Sequence, residues 1–368
     1  MRTALVTTYP SDYRLPLYRR LAASHGLELL CYGRGDRYAP AWSADLDAQL
    51  AAADFPARRI DGPAAVLSLG REYDAVIAPF AGGSMLPAAY AGARRFGRPF
   101  VLWASVWHQP RSLTHALALP VTRHIYRHAD AVIAYGEHVR RFAASIRGRD
   151  DDIFVAPQAV ERDLFGRDID AAQIAAFRAA HDLGDGPLVL YTGRLVAEKG
   201  LEVLVEAWGR AAGARSATLV VAGDGPLAET IAAAPGTRLL GAVARHELPV
   251  AYAAAQFTVV ASIPTARFKE PWGLVCNEAF EQGRPVIATT AVGAVAGGLV
   301  RDGRTGLVVS PGDADALAAA IDRLLADDAL RARLGAAARA AVAPYTYDAM
   351  AAGVAAALTA AGLGRRPA

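Results

Sequence analysis

Lysine is almost missing from this chain. Of its 39 basic residues 37 are arginine, and the only lysines are Lys199 and Lys269. Arginine therefore carries the ordinary surface charge, and each lysine reads as a compact point charge on a flexible stem, as phosphate sites use; chance is the plain alternative. Cysteine is as scarce. Cys31 and Cys276 fall in different predicted domains, which excludes a disulfide framework and a thiolate metal site and fits a reducing compartment. No apolar run reaches the ~20 residues of a membrane-spanning helix, since Gly353 and Gly362 interrupt even the Ala-rich tail. The opening MRTALVTTYP reads as a first strand and not as a signal peptide, so a cytoplasmic protein is expected.

Charge of either sign is close to balanced. A net +3 is too small to argue for nucleic acid. Arg140, Arg141, Arg147 and Arg149 do cluster, either as a solvated basic face or as a peripheral contact with the anionic inner face of a membrane. Also absent are a G-x-S-x-G elbow, a Walker loop and any nucleophile paired with a base. D-x-D pairs occur at Asp45 and Asp47, Asp168 and Asp170, and Asp313 and Asp315, but none follows a buried strand, so no metal site is expected.

What is present is α/β punctuation. At 368 residues, 53% hydrophobic and 20% charged, the chain is long enough for two domains with separate cores. Strands are expected at 3–8, 27–32, 74–78, 100–104, 131–135 and 153–155, with helices at 15–23, 87–96 and 137–144 between them. That alternation predicts a parallel sheet with helices on both faces, binding ligands at the carboxyl ends of its strands. The loops to watch are 8–14, 79–85 and 105–111. After a hinge and a helix at 171–181, the pattern restarts with the apolar run LVLYTG. Strands follow at 217–222, 237–240, 257–261, 285–288 and 307–309, then helices at 314–325 and 330–343. The expected domains are 1–180 and 187–345, with a tail at 346–368 packing back on the first.

The chain's organising stretch is residues 269–283, KEPWGLVCNEAFEQG. Glu270 and Glu278 flank a Pro-Trp-Gly-Leu-Val turn, and the run after it has helical propensity up to Gly283. A helix start exposes amides without acceptors and the positive end of the dipole, which suits phosphate. Upstream, GRLVAEKG at 193–200 puts Arg194 and Lys199 on a loop after a buried strand, with Gly193 and Gly200 permitting tight turns. Two such cations at a strand's carboxyl end suit a multiply charged anion; a charged surface loop is the bland reading.

The stretch resembles the E-x7-E signature of the retaining nucleotide-sugar glycosyltransferases of family 4, which have the GT-B fold. The Gly-Arg-Pro-Val-Ile-Ala-Thr that follows and the GRLVAEKG loop extend the resemblance over nearly the whole chain. It implies two doubly wound, Rossmann-like parallel-sheet domains facing across a cleft. It also implies a nucleoside diphosphate sugar as donor, with Glu270 on the transferred sugar and Glu278 on the ribose. Arg194, Lys199 and the turn formed by Trp272, Gly273, Leu274 and Val275 would meet the diphosphate, beside Gly193. Leu-Gly-Ala-Val at 240–243 resembles the base-binding loop, through backbone near Val243; a UDP-sugar is expected over a GDP-sugar.

In the first domain His108 matches a family histidine beside the reacting sugar, with Trp107 next to it on the acceptor side. The TTYPSDYRLP loop lacks the glycine pair common in the family and offers Asp12, Tyr13 and Arg14 to the acceptor instead. Gln158 stands where Asn is common. The expected function is metal-independent transfer of a hexose-type sugar to an acceptor hydroxyl with retention, by same-face attack, without a cofactor. The alternatives are a catalytically silent nucleotide-sugar-binding homologue or scaffold, or a GT-B epimerase or phosphorylase. The acceptor is not named by the sequence.

Overall fold

The computed structural model describes residues 1–33, 45–80 and 83–363; residues 81 and 82 of the 79–85 loop lie outside the described residues. The chain divides into two compact units, residues 1–158 with 347–368, and residues 159–346.

The first unit is built on β1 (Thr3–Thr7), β2 (Leu27–Cys31), β3 (Ala57–Arg59), β4 (Ala75–Pro79), β5 (Phe100–Ala104), β6 (Ala131–Ala134) and β7 (Ile153–Val155). All pairs are parallel, in the order β3-β2-β1-β4-β5-β6-β7. Strands such as FVLWA are buried at every position, as a sheet covered on both faces requires. Its helices are α1 (Leu15–His25), α2 (Leu46–Ala51), α3 (Gly62–Leu67), α4 (Met85–Arg95), α5 (Leu113–His128) and α6 (Glu137–Arg147).

The second unit carries α7 (Arg162–Phe165), α8 (Ala171–Ala180), β8 (Leu188–Thr192), α9 (Leu201–Arg210), β9 (Thr218–Ala222), α10 (Ala228–Ala232), β10 (Thr237–Gly241), α11 (Leu248–Ala254) and β11 (Phe257–Val260). It continues with α12 (Val275–Glu281), β12 (Val286–Thr289), α13 (Gly293–Ala296), β13 (Gly306–Val309), α14 (Ala314–Ala326) and α15 (Asp328–Val342). Its parallel sheet runs β10-β9-β8-β11-β12-β13. The last helix, α16 (Tyr347–Ala360), belongs to the first unit, where it packs on α1, β6 and β7. Gly353 lets it lie directly on the chain there: a Cβ would stand 2.3 Å from the Val155 carbonyl oxygen.

One expected boundary shifts. The first domain does not extend to residue 180. Residues 159–180 belong to the second unit because α8 packs on α11 and α7 on α11 and α12. Arg162 also bonds Glu281 (3.2 Å), and Gln282 donates to the Arg167 carbonyl (2.9 Å). Three arginines of the basic cluster are paired with nearby aspartates. Arg147 is buried against Asp152 and the Ala129 carbonyl, Arg149 also pairs with Asp152, and Arg140 with Asp150 (3.2 Å).

Each sheet grows outward in both directions from its first strand, so the chain order reverses between β1 and β4 in one unit and between β8 and β11 in the other. Loops leaving the carboxyl ends of such a strand pair diverge to opposite faces and leave a crevice. The two crevices are where function has to be sought.

Candidate active site

In the second unit the loop after β8 is fastened before it reaches any ligand. Gly193 donates to the Ala222 carbonyl (3.0 Å), Leu195 to Asp224 (2.9 Å), and the Tyr191 hydroxyl to the Arg194 carbonyl (2.9 Å). The chain then makes a short 3-10 turn, Ala197–Lys199, and ends it at Gly200 with φ +69°. A Cβ on Gly200 would stand 2.0 Å from the Ala261 carbonyl oxygen, so glycine sets the closeness of this loop to the end of β11. That closeness carries Lys199 across the switch point. Its Nζ contacts the Glu270 carboxylate and lies 5.6 Å from the Phe268 ring centroid.

Glu270 is buried, and Ser262 Oγ donates to it as well (2.9 Å). Its own segment is pinned from below by a bridge to Val292, by Gly293 N–H to the Glu270 carbonyl (3.1 Å) and by Ala294 N–H to the Trp272 carbonyl (2.7 Å). Trp272 was expected among the donor contacts, but its side chain turns inward. It is 3% exposed, its indole donates to Asn277 Oδ1 (2.7 Å), and its ring packs 5.7 Å from Tyr345. The indole therefore shapes the turn from behind. Gly273, with φ +91°, Leu274 and Val275 are half-buried where α12 begins.

Glu278 sits one turn into α12 and receives the Tyr252 hydroxyl (2.6 Å), which is itself 2.7 Å from Thr192 Oγ1 at the end of β8. Burial raises the Glu278 pKa, opposed by the Tyr252 hydrogen bond and by Arg245. Cys276 is buried between these groups; burial first, then Glu270 and Glu278, raise its pKa, and Lys199 opposes them. It is thus held as a neutral, buried thiol. Arg194 lies on the same loop as Lys199, 40% exposed, 3.7 Å from Glu198. Val243 is half-buried on the loop from β10 to α11, the helix that supplies Tyr252. Lys199, Glu270 and Glu278 therefore converge. Lys269 is half-buried, and burial lowers its pKa.

The first unit's crevice is a cavity of about 1050 Å³, lined from β1, β2, β4, β5 and β6 by residues including Thr8, Tyr13, Arg14, Phe80, Trp103 and Tyr135. Tyr13 and Arg14 line this cavity, and Asp12 is beside them in the 3-10 turn Asp12–Arg14 without lining it. His108 and Trp107 lie elsewhere. The loop after β5 turns His108 toward a second, very small pocket with Thr122, Arg123 and Phe142, and Trp107 packs edge-on against His138, centroids 5.3 Å apart. Neither lines the large cavity.

Among the described residues no group of three His, Cys, Asp or Glu could hold a metal, and no helix is long and apolar enough to cross a membrane. Tyr252, Thr192 and Ser262 had escaped the sequence reading. None carries a motif; only the folded contacts bring them to the two glutamates.

Solved structures share this architecture. An Anabaena HepE protein determined in complex with UDP superposes with TM-score 0.80 over 98% of this chain and 100% of that one, at 21% identity. Sucrose-phosphate synthase from Thermosynechococcus elongatus gives 0.73 at 24% identity, over 96% and 97%. The class defined is the GT-B fold. The sequence comparisons specify more. Residues 186–327 match the family described as glycosyl transferases group 1. A GDP-mannose-dependent alpha-(1-6)-phosphatidylinositol monomannoside mannosyltransferase of Mycobacterium tuberculosis is 32% identical over 340 residues, 86% of each chain. The alpha-D-kanosaminyltransferase of Streptomyces kanamyceticus is 32% identical over 247 residues, 61% of this chain and 60% of that one. The chain belongs to the group 1 glycosyl transferase family and is a glycosyltransferase of nucleotide-sugar type.

Proposed function

We propose that the protein transfers a hexose-type sugar from a nucleoside diphosphate sugar to an acceptor hydroxyl with retention, without a metal. The observation that carries this reading is the Lys199–Glu270 contact across the β8/β11 switch point. The second unit holds the donor. Glu270 takes hydroxyls of the sugar, Glu278 those of the ribose, and backbone near Val243 the base. Arg194, Lys199 and the amides of Gly273 to Val275 receive the diphosphate. The bond from the anomeric carbon to the diphosphate oxygen breaks, and the acceptor oxygen bonds that carbon on the same face. The leaving diphosphate takes the acceptor's proton. Tyr13 and Arg14 serve the acceptor in the first unit; His108 keeps a role only if its loop swings toward the substrate.

Calorimetric titration with UDP, GDP and their sugars tests the reading and selects the base. UDP was the expectation from sequence, and mycobacterial relatives are named for GDP-mannose. Glu278→Ala should weaken the preferred nucleotide about 10- to 100-fold, the range for hydrogen bonds to a charged group. Absence of binding to any member of the panel would favour the silent homologue.

The Glu278 titration gives a pH prediction. Its folded pKa is raised, so the folded state keeps a proton the unfolded chain has lost, and its stability contribution falls as pH rises through the raised value. Ribose hydroxyls donate to the carboxylate and favour its charged form. Nucleotide binding should therefore release a proton and tighten as pH rises from the ordinary glutamate range of about 4.3. Glu278→Gln should flatten that slope; a slope unchanged in the variant would assign it elsewhere.

The membrane contact expected from sequence finds different support. On α5, Leu113, Leu117 and Val121 follow at four-residue spacing and are 78%, 74% and 47% exposed, with Arg111, Arg123 and Arg127 exposed nearby. Exposed leucines beside arginines suit an anionic bilayer surface. Co-sedimentation with anionic vesicles should fall at least about 10-fold in Leu113→Glu/Leu117→Glu. Equal sedimentation of variant and parent would remove α5 from consideration.

A further inference from the structure

Arg14 is the only charged residue lining the first unit's cavity among the described residues, and it is 8% exposed. Its guanidinium contacts the Tyr135 hydroxyl and donates to Gln158 Oε1 (3.2 Å). Three rings surround it: Trp103 and Tyr135, each 5.0 Å from ring centroid to Cζ, and Tyr13 at 5.5 Å. Among the described residues no carboxylate lies within 4 Å of it. Arg147, equally buried, shows what this fold does with a structural arginine: Asp152 takes its Nε at 2.9 Å and the Ala129 carbonyl accepts at 3.0 Å.

A buried guanidinium stays charged and is costly to hold without a counterion; aromatic faces, one hydroxyl and one amide compensate only in part. Its planar fork matches an oxyanion in two-point geometry. The remaining lining is neutral. Thr8, Ser11, Ser84 and Ser105 offer hydroxyls, and Phe80 and Trp103 offer flat apolar faces, a combination suited to a polyhydroxylated ring.

We propose that the acceptor carries a phosphate ester on a sugar-like ring, and that Arg14 supplies the cation that recognises it. The proposal rests on the assignment of acceptor binding to the first unit. It makes Arg14 a specificity-determining residue, since a neutral acceptor would leave its charge uncompensated.

The test titrates the full chain with glucose 6-phosphate, glucose, and vesicles of phosphatidylcholine with or without phosphatidylinositol, for the parent, Arg14→Lys and Arg14→Met. The expected result is glucose 6-phosphate binding about 10- to 100-fold tighter than glucose in the parent, with most of that preference lost in Arg14→Met and part retained in Arg14→Lys. Preference only for phosphatidylinositol vesicles, lost in the same variants, supports the same site with a lipid-borne phosphate. No preference for either phosphate over its neutral counterpart in the parent overturns the proposal, even should Arg14→Met fail to fold. So does an undiminished preference in a folded Arg14→Met. Nucleotide titration of the same samples keeps the donor assignment separate: its failure would count against the proposed transfer, and Arg14 would still be decided by the phosphate arms.

Discussion

Replacing Lys199 by methionine is expected to lower nucleotide-sugar turnover roughly 10²- to 10³-fold, the effect of removing one preorganised group that stabilises developing charge. The ammonium is 19% exposed and held by the Glu270 carboxylate at the mouth of the β8/β11 crevice. Two explanations of such a loss have to be separated. Removing the lysine also takes the ammonium from a carboxylate that is 9% exposed and accepts from Ser262 Oγ (2.9 Å), and breaking a buried pair costs about 3 to 5 kcal/mol. A destabilised loop alone would slow turnover. The double variant Lys199→Met/Glu270→Gln removes both charges and should recover most of the melting temperature lost by the single variant, while turnover stays low. Turnover recovering together with stability would make Lys199 a structural counterion and leave charge neutralisation to Arg194.

Lys199 and the two glutamates are legible before any fold is known because their motifs are local; the scarcity of lysine only adds to that. The strands of the second unit were equally legible. Runs such as LVLYT and FTVV are buried at every position, so hydrophobicity alone delimits them. Three residues of β3, ARR, have no such signature and pair only because β2 offers an edge. α5 was obscured by Pro120 and by leucines that face solvent, a pattern opposite to an ordinary amphipathic helix.

The site divides along the same line. Glu278 could be named from its motif, whereas Tyr252 is 26 residues away in an unremarked helix and reaches it only when α11 packs on α12. Trp272 was visible as part of the motif, but spacing does not say which way an indole points; its bond to Asn277 decided that. Arg14 shows the reverse case. Its place on a strand-end loop was legible, but its confinement was not, because Tyr135 and Gln158 come from 121 and 144 residues further along the chain.

Gly293→Ala should prove as damaging to the fold of the second unit as the lysine variant is to turnover. The backbone of residues 270–272 rests directly on this glycine: an added methyl would stand 2.1 Å from the Pro271 carbonyl oxygen, 2.5 Å from its carbonyl carbon and 2.8 Å from the Trp272 Cα. These are main-chain atoms, tied down by the Glu270–Val292 bridge and by the Gly293 and Ala294 amides, so no side chain can rotate to relieve the contact. Overpacking of this kind costs about 3 kcal/mol or more, which corresponds to a fall in melting temperature of roughly 6 to 12 °C for a unit of this size. Because the displaced segment carries Glu270 on one side and leads into Gly273 on the other, nucleotide affinity should fall in whatever protein remains folded. Gly209→Ala provides the contrast. Within α9 a Cβ there meets nothing within 4 Å, and alanine's better helix propensity should leave stability unchanged or raise it by up to about 1 kcal/mol. A Gly293→Ala protein that melts and binds nucleotide like the parent would mean that the turn floats on this glycine; the donor site would then owe its shape to Trp272 and Asn277 alone.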